Sequence, residues 1–335
     1  MFTIHHSTLR ALHGFGALGF ALILSACAPK YTLVWQDNFD ADTLNTLFWT
    51  ADDNARGGGN AELQYYTPRN ITFEYFPGTN DHCLVLNAQR EDYMFNYNGE
   101  PGYRPCTSAR INSQDKVTIQ YGRVEARIAF PYTANGLWPA FWMLGNNLAT
   151  NLGDDDAVDN LQAQLESEGR TIWPKCGEID IVEMGHSDGI NSGTQDRRFN
   201  GACHWGEAWN NGAYPNFGMH HTWDYPLQGD FHLFTLDWTE DSIAMYLDMD
   251  KYPKAKPYFE LSLRGKQVGE PGYYFNHPFY FVLNLSVGGF FPGMPNPDKY
   301  SAMIDPSLLE PVTALPKDGT PVKMYVDYIK VYQKQ

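Results

Sequence analysis

Gly177-Glu178-Ile179-Asp180-Ile181-Val182-Glu183-Met184-Gly185 sets three carboxylates within six residues of an apolar, β-branched run. Ile179, Ile181 and Val182 favour a strand, and the two glycines bracket it. A period of two sends Glu178 and Asp180 to one face and Ile179 and Ile181 to the other. Glu183 then falls on the wrong face. One extra residue at Ile181-Val182, a β-bulge, restores it, and bulges are common beside active sites. The expected strand shows Glu178, Asp180 and Glu183 to one cleft and buries Ile179, Ile181 and Met184. Three acids on one surface repel each other, and folding alone does not ask for them. A solvated strand face or a structural cation site is the bland alternative. A catalytic reading needs a substrate surface around the acids.

Outward from that strand, composition narrows the fold class. The chain has 335 residues, 43% of them apolar and 15% aromatic, enough for a sizeable core. Tyr, Phe, Trp, Gly and Pro are abundant, and long helix-period stretches are few. That pattern points to an all-β sandwich or barrel of short strands. The formal charge of −15 argues against nucleic acid or an anionic membrane surface as partner and fits a neutral ligand. No interior linker, charge block or repeat divides the chain, so a single domain is expected after Cys27.

The first 26 residues read as a targeting segment. An apolar run at residues 11–24 is too short and Gly-rich for a comfortable membrane span. It ends in Leu24-Ser25-Ala26-Cys27, which resembles the bacterial lipobox, with an ordinary signal peptide as the alternative. The expectation is export, with the chain lipid-anchored through Cys27 to the cell envelope. Cys83, Cys106, Cys176 and Cys203 remain, an even number in an oxidising compartment. No CxxC pair suggests zinc. Disulfides pairing Cys83 with Cys106 and Cys176 with Cys203 would join segments close in sequence; four buried free thiols are the alternative.

Three further stretches supply a candidate substrate surface. Arg56-Gly57-Gly58-Gly59-Asn60-Ala61-Glu62-Leu63-Gln64 lacks the context of a phosphate cradle and reads as a mobile loop delivering Asn60, Glu62 and Gln64. Trp138 and Trp142, an even number apart in Trp138-Pro139-Ala140-Phe141-Trp142, share one strand face and could offer platforms to sugar rings. Phe141 and Leu144 read as core. His204, in Cys203-His204-Trp205-Gly206, gains weight from its expected adjacency to the acids. Residues 146–170 read as a polar surface insertion with a helix-compatible piece at 161–168. Residues 207–225 read as a Trp- and His-rich loop, and Phe279 to Val287 as a buried strand.

In order along the chain these motifs resemble glycoside hydrolase family 16, within it the laminarinase-like bacterial β-glucanases. Trp35-Gln36-Asp37-Asn38-Phe39, Asn60-Ala61-Glu62-Leu63-Gln64-Tyr65-Tyr66, Ser108-Ala109-Arg110-Ile111 and Tyr121-Gly122-Arg123-Val124-Glu125-Ala126-Arg127 match before the tryptophan strand. Glu178-Ile179-Asp180-Ile181-Val182-Glu183 is similar to the family signature in its bulged form. His204-Trp205-Gly206, Leu283-Asn284-Leu285-Ser286-Val287-Gly288-Gly289 and Val326-Asp327-Tyr328-Ile329-Lys330-Val331-Tyr332 follow. The resemblance implies a β-jelly-roll of two packed antiparallel sheets across residues 27–335, with the acids on the concave face. It implies retaining endo-hydrolysis of β-1,3-glucan, with mixed-linkage glucan tolerated, by a monomer that needs no cofactor. Glu178 would be the nucleophile, Glu183 the acid/base and Asp180 the residue between them. Asn60, Arg110, Trp138, Trp142 and His204 would contact substrate. Family members often hold a structural calcium through an acid of the opening strand and the Asp of the last, here Asp327. Asn38 stands where that first acid is usual. Insertions at 146–170 and 302–317 are longer than the resemblance leads one to expect. Agarase, carrageenase and porphyranase activities share the fold, and a noncatalytic lectin or a structural lipoprotein would need no acid triplet.

Overall fold

The computed structural model describes residues 2–4, 31–55, 59–97, 99–133, 135–149, 165, 167–209, 213–298 and 301–335. Cys27 and most of the targeting segment lie outside them, as does most of the helix-compatible piece at 161–168. Among the described residues two sheets, of nine and ten strands, pack face to face and form the β-jelly-roll. The first runs in the order Val117–Ile119, Phe279–Val287, Leu137–Gly145, Glu178–Met184, Arg198–His204 and Asn216–Thr222. Arg110–Asn112 also pairs with Phe279–Val287, and Phe2–Ile4 lies parallel to Val117–Ile119 at the edge. The second sheet centres on Gly122–Ala129, Val322–Lys334 and His82–Tyr97.

Alternation along the strands decides which side chains meet between the sheets. Phe141, Met143, Phe281, Leu283 and Leu285 of the first sheet join Val124, Ala126, Ile128, Leu236, Ile329 and Val331 of the second in one core. Burying a side chain of this size contributes ~1.5–3 kcal/mol. The other face of the first sheet is not all polar. Leu144, Tyr280 and Val282 form a separate apolar patch there with Cys176, and Trp142 and Trp173 pack on it. Leu144 is therefore buried, as expected, but on the cleft side. Phe279–Val287 is buried along its whole length because both of its faces are covered.

The acid strand carries the expected bulge. Asp180 pairs with Ala202 and Glu183 with Asn200, so Ile181 and Val182 together oppose Gly201 alone. On the other edge Trp142 faces Asp180 and Phe141 faces Val182. Ile179, Ile181, Val182 and Met184 are fully buried. A bulge takes a carbonyl out of the ladder, and here the buried Tyr258 hydroxyl donates to the Ile181 carbonyl. The strand ends where side chains cannot go. A Cβ on Gly185, at φ +99°, would lie 2.0 Å from the Leu137 carbonyl oxygen.

Three sequence expectations are corrected. The expected loop at 207–225 contains the edge strand Asn216–Thr222, antiparallel to Arg198–His204; its residues are mostly exposed on both faces, so no alternation marks it. Among the described residues no disulfide forms and the alternative of four buried thiols holds: Cys83, Cys106, Cys176 and Cys203 are free and buried. They sit in different apolar surroundings, Cys83 against Phe231, Cys176 against Leu144 and Tyr280, and Cys106 and Cys203 on opposite sheets of the main core. Their cross-strand partners are Glu74, Arg90 and, for Cys203, Ile179. Glu62 and Gln64 are not delivered to a surface; both are buried, and Gln64 accepts from the Val287 amide at 2.8 Å, tying the loop to its neighbour.

Candidate active site

The bulge brings all three acids to the cleft face, each between defined neighbours. Glu178 lies between Leu144 and His204, Asp180 between Trp142 and Ala202, and Glu183 between Ala140 and Asn200. The Trp173 indole N–H donates to Glu178 Oε2 at 2.9 Å, and the Trp138 indole N–H to Glu183 Oε1 at 3.0 Å. His204 Nε2 lies 3.1 Å from Asp180 Oδ2 and 3.9 Å from Glu178 Oε1. The two outer acids are thus each held by a tryptophan, and the middle one by a histidine.

Burial and mutual repulsion push all three carboxyls upward. Glu183 is raised well above the usual range, first by burial and then by the charge of Asp180; His204 and the Trp138 N–H oppose the shift. Burial and then Asp180 push Glu178 up to about 8, against His204, the Trp173 N–H and Arg110. Burial raises Asp180 to about 8 as well. The cluster therefore carries fewer than three charges near neutrality. Glu183, raised by burial and by both Asp180 and Glu178, keeps its proton longest. Two acids held apart in this way are the arrangement general acid catalysis needs.

The other expected contact residues are brought to the same face, each with protein contacts of its own. Trp138 and Trp142 are half-buried. Phe291 stacks on Trp138 with centroids 4.7 Å apart and planes at 7°. Trp142 donates to Asn284 Oδ1 at 2.6 Å and lies under the Arg110 guanidinium at 5.0 Å. Arg110 also pairs with Asp52 at 3.4 Å. Asn60 sits at the cleft margin, where its carbonyl accepts from the Phe290 amide at 2.9 Å. Sequence reading missed Trp173 and Tyr214. Tyr214 packs edge-on against Trp173 at 4.7 Å and lies 5.6 Å from His204. Burial and then the three acids push its hydroxyl up to about 12. A signal for Trp173 existed: Trp173-Pro174 stands at the turn leading into the acid strand.

The family model of Glycosyl hydrolases family 16 matches residues 74–261, more than half of the chain. The chain belongs to glycosyl hydrolases family 16. A glucan endo-1,3-beta-glucosidase of Niallia circulans is 30% identical over 90% of this chain, which spans only 38% of that protein's length. The laminarinase catalytic domain from Thermotoga petrophila is 30% identical, with a TM-score of 0.65, over 92% of this chain and all of that one. A family 16 enzyme from the mixed-linkage glucan locus of Bacteroides ovatus, solved with its product, is 28% identical, with the same TM-score, over 89% of this chain and 99% of that one.

Asn38 and Asp327, the residues expected to hold calcium, line one cavity, and Asp327 is also paired with Arg127. Asp327 Oδ2 is 2.6 Å from Arg127 Nη1, which also reaches Asp81 Oδ2 at 3.2 Å. That guanidinium lies 4.0 Å from the centre of the Phe231 ring and already supplies the positive charge. That cavity, of about 590 Å³, is lined by Asp40, Asp42 and Asp81 besides Asn38 and Asp327, and involves none of the cleft acids.

Proposed function

We propose that this family 16 glycoside hydrolase is a retaining endo-β-1,3-glucanase acting on laminarin-type glucan and tolerating mixed-linkage β-glucan. The observation that carries the reading is the bulged strand, with Glu178 and Glu183 each held by an indole N–H on either side of Asp180. Retention requires two carboxyls about 5–5.5 Å apart across the scissile bond. Glu183 gives its proton to the glycosidic oxygen as Glu178 attacks the anomeric carbon, forming a glycosyl ester and releasing the leaving sugar. Esterification removes the charge of Glu178, so Glu183, its proton already given, is more readily held as the carboxylate. Water attacks the ester, Glu183 takes its proton, and Glu178 leaves as a carboxylate. Asp180, against His204, tunes the charge between them without forming a bond to sugar.

The similarity to a laminarinase and to a mixed-linkage glucan enzyme supports a neutral glucan as substrate. The chain's net charge of −15 disfavours sulfated carrageenan. Arg127 at Asp81 and Asp327 supports a fold that stands without calcium, and chelator should leave the melting temperature unchanged. The lipobox-like Leu24-Ser25-Ala26-Cys27 supports export and anchoring through Cys27, so wild type should fractionate with membranes and Cys27→Ser should lose that processing.

Proton NMR of wild-type products from laminarin tests the chemistry, with β-configured ends expected first. Glu178→Gln and Glu183→Gln should each lose several orders of magnitude in turnover. With an activated aryl glycoside, azide should rescue Glu183→Gln to a β-glycosyl azide and Glu178→Gln to the α-product. Inverted products from wild type would refute the double displacement, and digestion of agarose with laminarin left intact would refute the glucan assignment.

A further inference from the structure

Glu178, Asp180 and His204 serve chemistry on sugar, yet their geometry also suits another ligand. Among the described residues they are the one group of three or more His, Cys, Asp or Glu whose ligand atoms converge, all within 4.8 Å of one another. A tetrahedral zinc ion bonded at ~2.0–2.2 Å sets neighbouring ligand atoms about 3.3–3.6 Å apart. The separations of 3.1 Å, His204 Nε2 to Asp180 Oδ2, and 3.9 Å, His204 Nε2 to Glu178 Oε1, bracket that span. The third separation, between the Glu178 and Asp180 oxygens, is within 4.8 Å, so the two carboxylates would draw together on the ion.

The donor atoms are available. Asp180 is only 4% exposed, and its Oδ2 makes no well-formed hydrogen bond; its near neighbour is His204 Nε2, the other proposed donor, at 3.1 Å. His204 Nδ1 has none either, so it can carry the ring proton and leave the Nε2 lone pair to a metal. Glu178 presents Oε1 to the trio and keeps Oε2 on the Trp173 indole, so coordination need not break that bond. Two carboxylate oxygens and an imidazole suit a borderline ion such as zinc, whereas calcium and magnesium ask for six or more oxygens.

We propose that Glu178, Asp180 and His204 form an inhibitory site for a divalent transition-metal ion of the zinc type, open to the cleft at its fourth position. The inhibition rests on the reading of Glu178 as nucleophile: the ion takes the carboxylate oxygen that would attack the anomeric carbon. Because the ion displaces a proton, its affinity falls as pH falls.

Cobalt(II) titrated into chelator-treated protein without substrate tests the site. Visible absorption of a four-coordinate ion should appear, saturate at one equivalent and be chased by zinc. His204→Gln should weaken the titration by at least ~10–100-fold. Glu178→Gln should do the same and serves if the histidine variant fails to fold. In parallel, zinc should inhibit laminarin hydrolysis competitively with laminari-oligosaccharides and reversibly by chelator, while calcium and magnesium should not. Absence of the cobalt spectrum, or an unchanged titration in both variants, overturns the proposal. The spectrum is read without catalysis, so a protein that binds cobalt but cleaves no glucan would instead overturn the glucanase reading.

Discussion

Replacing Trp173 by Phe separates the electrostatic role of this residue from its packing. The ring survives against Tyr214 and the Leu144–Tyr280 patch, and one donor is lost, the N–H 2.9 Å from Glu178 Oε2. That bond favours the ionised carboxylate, so its loss raises the pKa of Glu178 further. A hydrogen bond to a charged group contributes ~1.5–3 kcal/mol, and 1.36 kcal/mol corresponds to one pKa unit. The acid limb of kcat/KM against pH, which reports the free enzyme, should therefore move upward by about 1–2 pH units. At any pH below both limbs the variant should be ~10–100-fold slower, and on the plateau it should approach wild type. The parent limb should itself lie above the ordinary carboxylate range, because Glu178 is pushed up to about 8. The assay is initial-rate hydrolysis of a soluble laminari-oligosaccharide across pH. A loss equal at every pH, or an unmoved limb, would refute the electrostatic role and leave Trp173 a packing or sugar-contact residue.

Three further outcomes follow from the site. Glu183 is raised in the folded state, so folding takes up protons there; the associated stability is present below about 4.3 and lost as pH rises through the folded value. Glu183→Gln, which cannot ionise, should thus be more stable than wild type near pH 8 by ~0.5–2 kcal/mol, with the gap closing toward pH 4; calorimetry at both values checks this, and a destabilised variant at pH 8 would sink it. Tyr258→Phe should leave the buried Ile181 carbonyl unpaired and cost ~1–3 kcal/mol, seen as a lower urea midpoint, with activity falling further because the bulge aims Glu183. Trp138→Phe should raise the pKa of Glu183 and slow release of the glycosyl ester more than its formation, so that an activated aryl glycoside gives a larger burst of leaving group.

The bulge was legible because its evidence is local. A period of two is fixed by backbone geometry, and only one added residue reconciles Glu183 with Glu178 and Asp180 on one side. The same logic located Phe279–Val287 and the inward Phe141. It failed at Asn216–Thr222, where an exposed edge strand has no buried side to pattern. It also failed at the cysteines. Their even number fits bridges as well as thiols, and only the packing shows that each lies in its own apolar surroundings.

The sequence by itself determined the all-β architecture, the bulged strand and the acids that share its face, since alternation, turn residues and motif order are properties of neighbours along the chain. Tertiary structure alone decided what each acid touches. Trp138 reaches Glu183 from the neighbouring strand and Trp173 folds back on Glu178 from the preceding turn, Phe291 stacks on the ring expected to hold sugar, and Arg127 stands beside the aspartate expected to hold calcium. Those contacts join residues up to 200 positions apart in the chain, as Arg127 and Asp327 are. Their geometry comes from how two twisted sheets pack, and no spacing along the chain encodes it.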